Sequence, residues 1–247
     1  MIKVEKAGFR FKDSGWIFRN HSFHLKTGET MAILGPNGRG KTTLLKSIIG
    51  LLKITQGKIT KTCDIGVVHQ YSQSPFSYNV IDMVIMGRAR HLGMFSSPTA
   101  KDKNLALEAL ELLGLIGLKD REFSSLSGGE KQLVLIARAM ASGCNCLILD
   151  EPASALDFKN QDIILKTLRD ITHNKNMSVL FTTHYPQHAL HIADKVLLMY
   201  SPDRYEFGAA TEIMDDSHLK DLYRLDIQNV HFNCNGRDIH TVVPVFS

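Results

Sequence analysis

An α/β fold, with a parallel-rich sheet and an inserted helical subdomain, is what this sequence predicts, on three observations. Five short apolar runs read as buried strands: ETMAILG (29–35), IGVVHQ (65–70), CLILD (146–150), SVLFTTH (178–184) and KVLLMY (195–200). Several are followed by helical patterns, the alternation that covers both faces of a parallel sheet. Between about 76 and 144 the pattern changes to helices alone, in VIDMVIMG, DKNLALEALELLG and LSGGEKQLVLIARAM. Composition agrees: 44% hydrophobic and 22% charged residues are the proportions of an ordinary globular chain and exclude disordered and collagen-like classes.

Taken in order, the run TMAIL leads into GPNGRGKTT (35–43), which fits G-x-x-x-x-G-K-[ST] between a strand and the helix TTLLKSIIG. That context is what the phosphate-binding motif requires. Gly35, Pro36, Asn37, Gly38, Arg39 and Gly40 form a loop whose N–H groups turn toward phosphate oxygens, at the positive end of a helix dipole. Lys41 reaches the β and γ phosphates, Thr42 offers a hydroxyl to Mg²⁺, and Thr43 continues into the helix. Leu44 with Ile48, and Leu45 with Ile49, pair at i,i+4, and Gly50 suits the C-terminal cap.

CLILDEPASALD places Asp150 and Glu151 just beyond an apolar strand, at the sheet edge where open α/β proteins bind ligands. Two adjacent carboxylates there suit a cation and a reacting water: Asp150 as Mg²⁺ partner, Glu151 as the group that orients and polarises the water. Further along, LSGGEKQLVLIARAM (126–140) opens a helix with two glycines, each costing about 1 kcal/mol against alanine. Ser127 and Glu130 fit a capping box, with Leu133, Ile136, Ala137 and Met140 as the buried stripe. The box leaves Gly128 and Gly129 unexplained, and bare backbone at a helix N-terminus suits close approach to a phosphate.

With the Gly-rich loop, the strand-end Asp-Glu pair and LSGGE in this order, residues 2–225 resemble the ATP-binding cassette (ABC) ATPases. The resemblance implies one cassette over 1–225, with a core at 1–75 and 145–200, a helical subdomain at about 76–144, and a tail at 226–247 with no assigned role. It also implies that Leu126, Ser127, Gly128, Gly129 and Glu130 form the signature that closes on ATP bound by a second copy. Glu130 stands where Gln is commoner. Gln70 is similar to the loop glutamine that contacts Mg²⁺ and water, though a polar strand end is the bland alternative. Asp157 in SALD resembles the loop linking the two active sites. His184 resembles the switch histidine that holds the γ-phosphate and Glu151; a rival metal site with His188 and His191 is disfavoured by Pro186, which suits a first helical position and leaves His184 ahead of the helix. His188 and His191 then read as solvated helix residues. For the adenine, Phe11 is at the family's stacking place, with Trp16 as backup; alternatively Phe9 and Phe11 share a strand face and are both core.

The segment QYSQSPFSYNVIDMVIMGR (70–88) is similar to that of bacterial importers of iron chelates, haem, cobalamin and molybdate, which carry V-x-x-x-V-x-M-G-R; Val80, Met83, Val84 and Met86 also read as helix core. The resemblance implies an ATP-hydrolysing importer subunit with ATP and Mg²⁺, acting as a homodimer or as a heterodimer with a related chain. It would work with two integral-membrane permease subunits docked around Gln70 to Asn79, and indirectly with a substrate-binding protein. A scaffold ATPase for iron-sulfur cluster assembly is the alternative. No nucleic-acid partner is expected: net charge is only +4, without a strong basic patch, second cassette or coiled-coil insertion. The start MIKVEK is not a secretory signal and no apolar run approaches the roughly 18 residues a membrane span needs, so the chain would serve a membrane from the side; the resemblance implies the cytoplasmic face of the inner membrane, held peripherally. Cys63, Cys144, Cys146 and Cys234 lack zinc-site spacing and read as reduced cytosolic thiols.

Overall fold

The structure, a computed structural model, describes residues 1–69, 78–93, 96–234 and 236–246. In chain order its strands are β1 (Ile2–Arg10), β2 (Trp16–Leu25), β3 (Thr30–Leu34), β4 (Gln56–Lys61), β5 (Ile65–Val68), β6 (Cys146–Leu149), β7 (Ser178–Thr183), β8 (Lys195–Met199), β9 (Tyr205–Ala209), β10 (Asp226–Cys234) and β11 (Arg237–Val245). The α-helices are α1 (Lys41–Ile49), α2 (Val80–Ile85), α3 (Ala100–Leu112), α4 (Gly128–Ala141), α5 (Phe158–Lys175), α6 (Pro186–Ile192), α7 (Ala210–Ile213) and α8 (Asp216–Tyr223). They form two compact units, residues 1–62 with 178–247, and residues 63–177.

In the first unit β3 lies between β7 and β8 in parallel, and β9 pairs antiparallel with β8. Every residue of β3 and β7 is buried, which is why these strands read as continuous apolar runs rather than alternations. A second, antiparallel sheet of order β2-β1-β4 is invisible to a search for such runs. Its strand β1 buries Ile2, Val4, Ala7 and Phe9, but register shifts break strict alternation. The stretch after residue 200 resolves into β9, α7, α8 and the hairpin β10–β11. Phe11 corrects the reading that it shares a core face with Phe9: β1 ends at Arg10, and Phe11 is 51% exposed against 6% for Phe9.

In the second unit β5 and β6 form a parallel pair, and α4 packs against α2, α3 and α5. The helix α4 is buried almost all round, through Leu133, Val134, Leu135, Ile136, Ala137 and Ala139, while Met140 is only half-buried. The one-stripe expectation therefore understates its burial. Helix α2 buries Val80, Met83 and Val84, but Met86, expected in the same core, is 40% exposed because a 3₁₀ turn over Met86–His91 turns the chain away.

Met-Gly-Arg has its own structural logic. A Cβ on Gly87 would lie 2.0 Å from the Arg138 carbonyl oxygen of α4, so only glycine permits this approach. Arg88, buried beside it, donates Nε–H to Asp102 Oδ1 at 2.9 Å and Nη1–H to the Ala141 carbonyl at 3.0 Å. Asp102 also closes a capping box with Thr99 at the start of α3. The Thr99 and Arg88 donors hold the Asp102 carboxyl far below the usual carboxylate range. One guanidinium thus ties the turn after α2 to the start of α3 and the end of α4.

Arg88→Ala strands the Asp102 carboxylate and frees the Ala141 carbonyl. The expected result is a fall in the thermal midpoint of roughly 10 °C, followed by circular dichroism, with Arg88→Lys recovering only part of it. An unchanged midpoint for Arg88→Ala would remove the clamp from this account.

Candidate nucleotide site

The first unit carries the Gly-rich loop. Leu34 ends β3 and Thr183 ends β7, and the two are register partners; Gly35 and His184 therefore leave adjacent strand ends on the same side. Gly35 is compelled by space, since a Cβ there would meet the Met199 carbonyl oxygen at 2.9 Å. Gly40, the residue before α1, has φ 87° and would place a Cβ 2.7 Å from Ile17 Cγ2, so both torsion and space require glycine. Lys41 is 6% exposed, and its Nζ donates to the Gly35 carbonyl at 2.7 Å and the Pro36 carbonyl at 3.2 Å. The ammonium thus sits inside the loop it serves. Thr42 is exposed and Thr43 half-buried, while Leu44, Leu45 and Ile48 seat α1 in the core and Gly50 caps it at φ 97°.

His184 is half-buried ahead of α6, with Pro186 at the first helical position as expected. Its carbonyl accepts from the Tyr223 hydroxyl at 2.8 Å, and its ring lies 4.0 Å from that of Tyr185. His188 is not a solvated residue: it is buried, with Nδ1 3.3 Å from Thr183 Oγ1, because α6 turns that side onto β3 and β7. His191 is exposed. Among the described residues no group of three or more His, Cys, Asp or Glu side chains could hold a metal. Of the two candidates for the adenine, Trp16 has the guanidinium carbons of Arg10 and Arg19 each 5.2 Å from its ring centroid, an arrangement that occupies the ring. Phe11 instead packs edge-on against Phe9 at 4.9 Å and stays exposed.

The second unit carries the carboxylates. Val68 and Leu149 end β5 and β6 as register partners, and the Asp150 N–H donates to the Val68 carbonyl at 3.2 Å. Glu151 has φ 48°. A left-handed glutamate directly before Pro152 is uncommon on two counts and stores strain of about 1–3 kcal/mol. Strain of this kind collects where a side chain must be aimed. Glu151 and Gly128 line one cleft of about 170 Å³, with Lys131, Gln132, Ser154 and Leu156; sequence reasoning did not single out Lys131 or Gln132. Gln70 lies outside the described residues.

The LSGGE segment forms the capping box its residues suggest, with one addition. The Ser127 N–H donates to Glu130 Oε2 at 2.8 Å and the Glu130 N–H donates to Ser127 Oγ at 3.3 Å, a complete capping box. Hydrogen bonds from Ser127 hold the Glu130 carboxyl below its ordinary value. Leu126 is buried, and Ser127 and Gly128 are exposed. Gly129 is buried, and a Cβ on it would lie 2.3 Å from Asn160 Oδ1 of α5. This glycine is therefore required by packing within its own chain, whatever else approaches it. Asn160 is held by Asp157, which caps α5: Asp157 Oδ1 accepts from the Asn160 N–H at 2.8 Å and Oδ2 from Nδ2 at 3.0 Å. Asp157 thus positions the residue against which the signature packs. Asn160 was not singled out in the sequence, although its spacing from an N-cap aspartate was a local signal.

The family model described as ABC transporter matches residues 18–154. The chain belongs to that family. As an ABC transporter ATPase of α/β fold, it is 44% identical over 224 residues to the molybdate import ATP-binding protein MolC of Haemophilus influenzae, covering 91% of this chain and 88% of that protein. It is 34% identical to a probable iron chelatin transport ATP-binding protein of Helicobacter pylori, covering 93% and 95%. Among solved structures, an ABC transporter assigned to the metal-chelate type, in an inward-facing conformation, superposes with TM-score 0.95 at 41% identity, covering 99% of this chain and 97% of that one. No helix among the described residues is long and apolar enough to cross a membrane.

Gly129→Ala is expected to lower both thermal midpoint and ATP turnover. Adding Asn160→Ala takes away the Oδ1 and Cγ contacts at 2.3 and 2.6 Å and leaves only Cβ at 3.0 Å, and should recover part of the midpoint. If the midpoint stays low, packing against Asn160 is not what requires the glycine.

A carboxylate held below its ordinary value stabilises the fold above that value, and the contribution is lost as pH falls through the depressed one. Glu130→Gln should therefore melt a few degrees below the parent at pH 7. The gap should close as pH drops below about 4.5, the ordinary value. A gap independent of pH would show that charge at this position does not contribute.

Proposed function

We propose that this chain energises a bacterial importer whose cargo is a metal chelate or a molybdate-type oxyanion, acting as a homodimer bound to two integral-membrane permease subunits that receive cargo from a substrate-binding protein. The observation that carries this reading is the likeness to the metal-chelate type transporter over 99% of the chain; the resemblance to a molybdate import protein supports the second cargo class. The chain would then work from the cytoplasmic side of the membrane, attached peripherally through its partners.

In this reading residues 35–43 hold the triphosphate of ATP and Phe11 stacks on the adenine. Lys41, already placed among the loop carbonyls, exchanges those acceptors for phosphate oxygens. Thr42 and Asp150, a hydroxyl and a carboxylate of the donor class that Mg²⁺ takes, with Gln70, are the residues that would hold the ion; Mg²⁺ supplies charge neutralisation at the phosphates. Glu151 orients the attacking water in line with the γ-phosphorus and accepts its proton. Lys41 and His184 meet the negative charge on the phosphoryl oxygens. Ser127, Gly128 and Gly129 of one protomer close on the nucleotide of the other, and Asp157 links the two sites.

Glu151→Gln should retain ATP binding and lose turnover by about 10²–10⁴. Specific activity of the parent should rise with protein concentration, and mixed Lys41→Ala and Ser127→Arg chains should recover part of it, since one composite site per mixed dimer is intact. Concentration-independent activity with no recovery would overturn the two-chain site. Separately, co-expression with the permease should retain the chain on membranes; retention by soluble assembly proteins alone would overturn the importer reading while leaving the ATPase chemistry standing.

A further inference from the structure

Away from the nucleotide site, the second unit gathers three cysteines around the start of its parallel strand pair. Ile65 of β5 is the register partner of Cys146, the first residue of β6. Just before β5 the chain is folded onto that strand start, because the Asp64 carbonyl accepts from both the Asn145 N–H and the Cys146 N–H at 3.1 Å each. Because Cys63 directly precedes the residue whose carbonyl binds the Cys146 N–H, this turn brings the two cysteines together, near enough for the Cys63 thiol to act on that of Cys146. Cys63 is half-buried and Cys146 wholly buried. The third thiol, Cys144, is engaged elsewhere: its Sγ donates to the Ala139 carbonyl at 3.2 Å and packs over Gly66, where a Cβ would lie 2.6 Å from the sulfur.

We propose that Cys63 and Cys146 are a peroxide-responsive dithiol, Cys63 being the attacking sulfur and Cys146 the resolving one, which close to an intrachain disulfide across the start of the β5–β6 pair. Access sets the order, since a small oxidant in solution reaches Cys63 and not Cys146. Burial, with the neighbouring Cys63, pushes the Cys146 thiol up, so it is a poor target for oxidant in solution and reacts with a sulfur held beside it.

The Cys63 thiolate attacks one peroxide oxygen: an S–O bond forms, the O–O bond breaks, and the departing hydroxide takes a proton to become water. The Cys146 sulfur then attacks the Cys63 sulfenic acid. The S–S bond forms, the S–O bond breaks, and the Cys146 proton leaves with the hydroxyl as a second water. Two thiols lose two electrons in total, and one peroxide is reduced to two waters. Proximity makes the second step fast relative to further oxidation, because the resolving sulfur is already beside the sulfenic acid. The inference does not rest on the importer reading, because neither cysteine belongs to the nucleotide site.

The test uses the purified full chain treated with hydrogen peroxide, then alkylated under denaturing conditions and mapped by peptide mass. The expected result is a Cys63–Cys146 linked peptide, loss of both alkylatable thiols, and full reversal by dithiothreitol. In Cys146→Ser the linked peptide should vanish and dimedone should trap Cys63 as sulfenic acid. In Cys63→Ser, Cys146 should stay alkylatable and ATP turnover should match the parent. Recovery of both cysteines as thiols in the treated parent, a bond to Cys144 or Cys234 instead, or a bond only between chains on a non-reducing gel would overturn the proposal.

Discussion

Parallel register is the constraint on which the rest of the structure depends. Parallel strands deliver their carboxyl ends to one side, so residues just past paired strand ends become neighbours without being neighbours in sequence. In the first unit, Leu34 beside Thr183 brings out Gly35 and His184 together. In the second, Val68 beside Leu149 brings out Asp150, whose N–H donates to the Val68 carbonyl. Much of the chemistry proposed for this chain draws on such positions. The buried apolar interior of β3, β6 and β7 holds the register by hydrophobic burial.

Around that frame, helix starts do much of the local positioning. Ser127 with Glu130 and Thr99 with Asp102 close reciprocal capping boxes, while Asp157 caps α5. Each satisfies N–H groups that a helix terminus leaves without intrahelical partners. The Asp157 cap does more than end a helix: it orients Asn160, and Asn160 leaves room for nothing larger than glycine at position 129. A local backbone requirement in α5 thereby reaches the signature at the start of α4.

The Arg88 clamp gives Met-Gly-Arg a structural role of its own. The motif is shared with importer ATPases, and within this chain Gly87 and Arg88 are explained by the closeness of Arg138 and by the Asp102 and Ala141 acceptors. A buried guanidinium with both acceptors supplied is an arrangement in which lysine substitutes only in part, since one ammonium lacks the planar fork.

The sequence by itself determined what is local. Gly-rich loop, strand-end carboxylates, capping box and proline-led helix each depend on residues a few positions apart, and buried parallel strands announce themselves as unbroken apolar runs. Only the tertiary structure decided what depends on distant partners. It exposed Phe11 at the end of a bulged strand, covered Trp16 with Arg10 and Arg19, buried His188, and strained Glu151. It also revealed the antiparallel sheet, the Asn160 contact with Gly129 and the meeting of Cys63 with Cys146. The reason is physical: torsional and capping preferences act over one or two turns of chain, whereas close packing is a condition on side chains that the sequence keeps far apart.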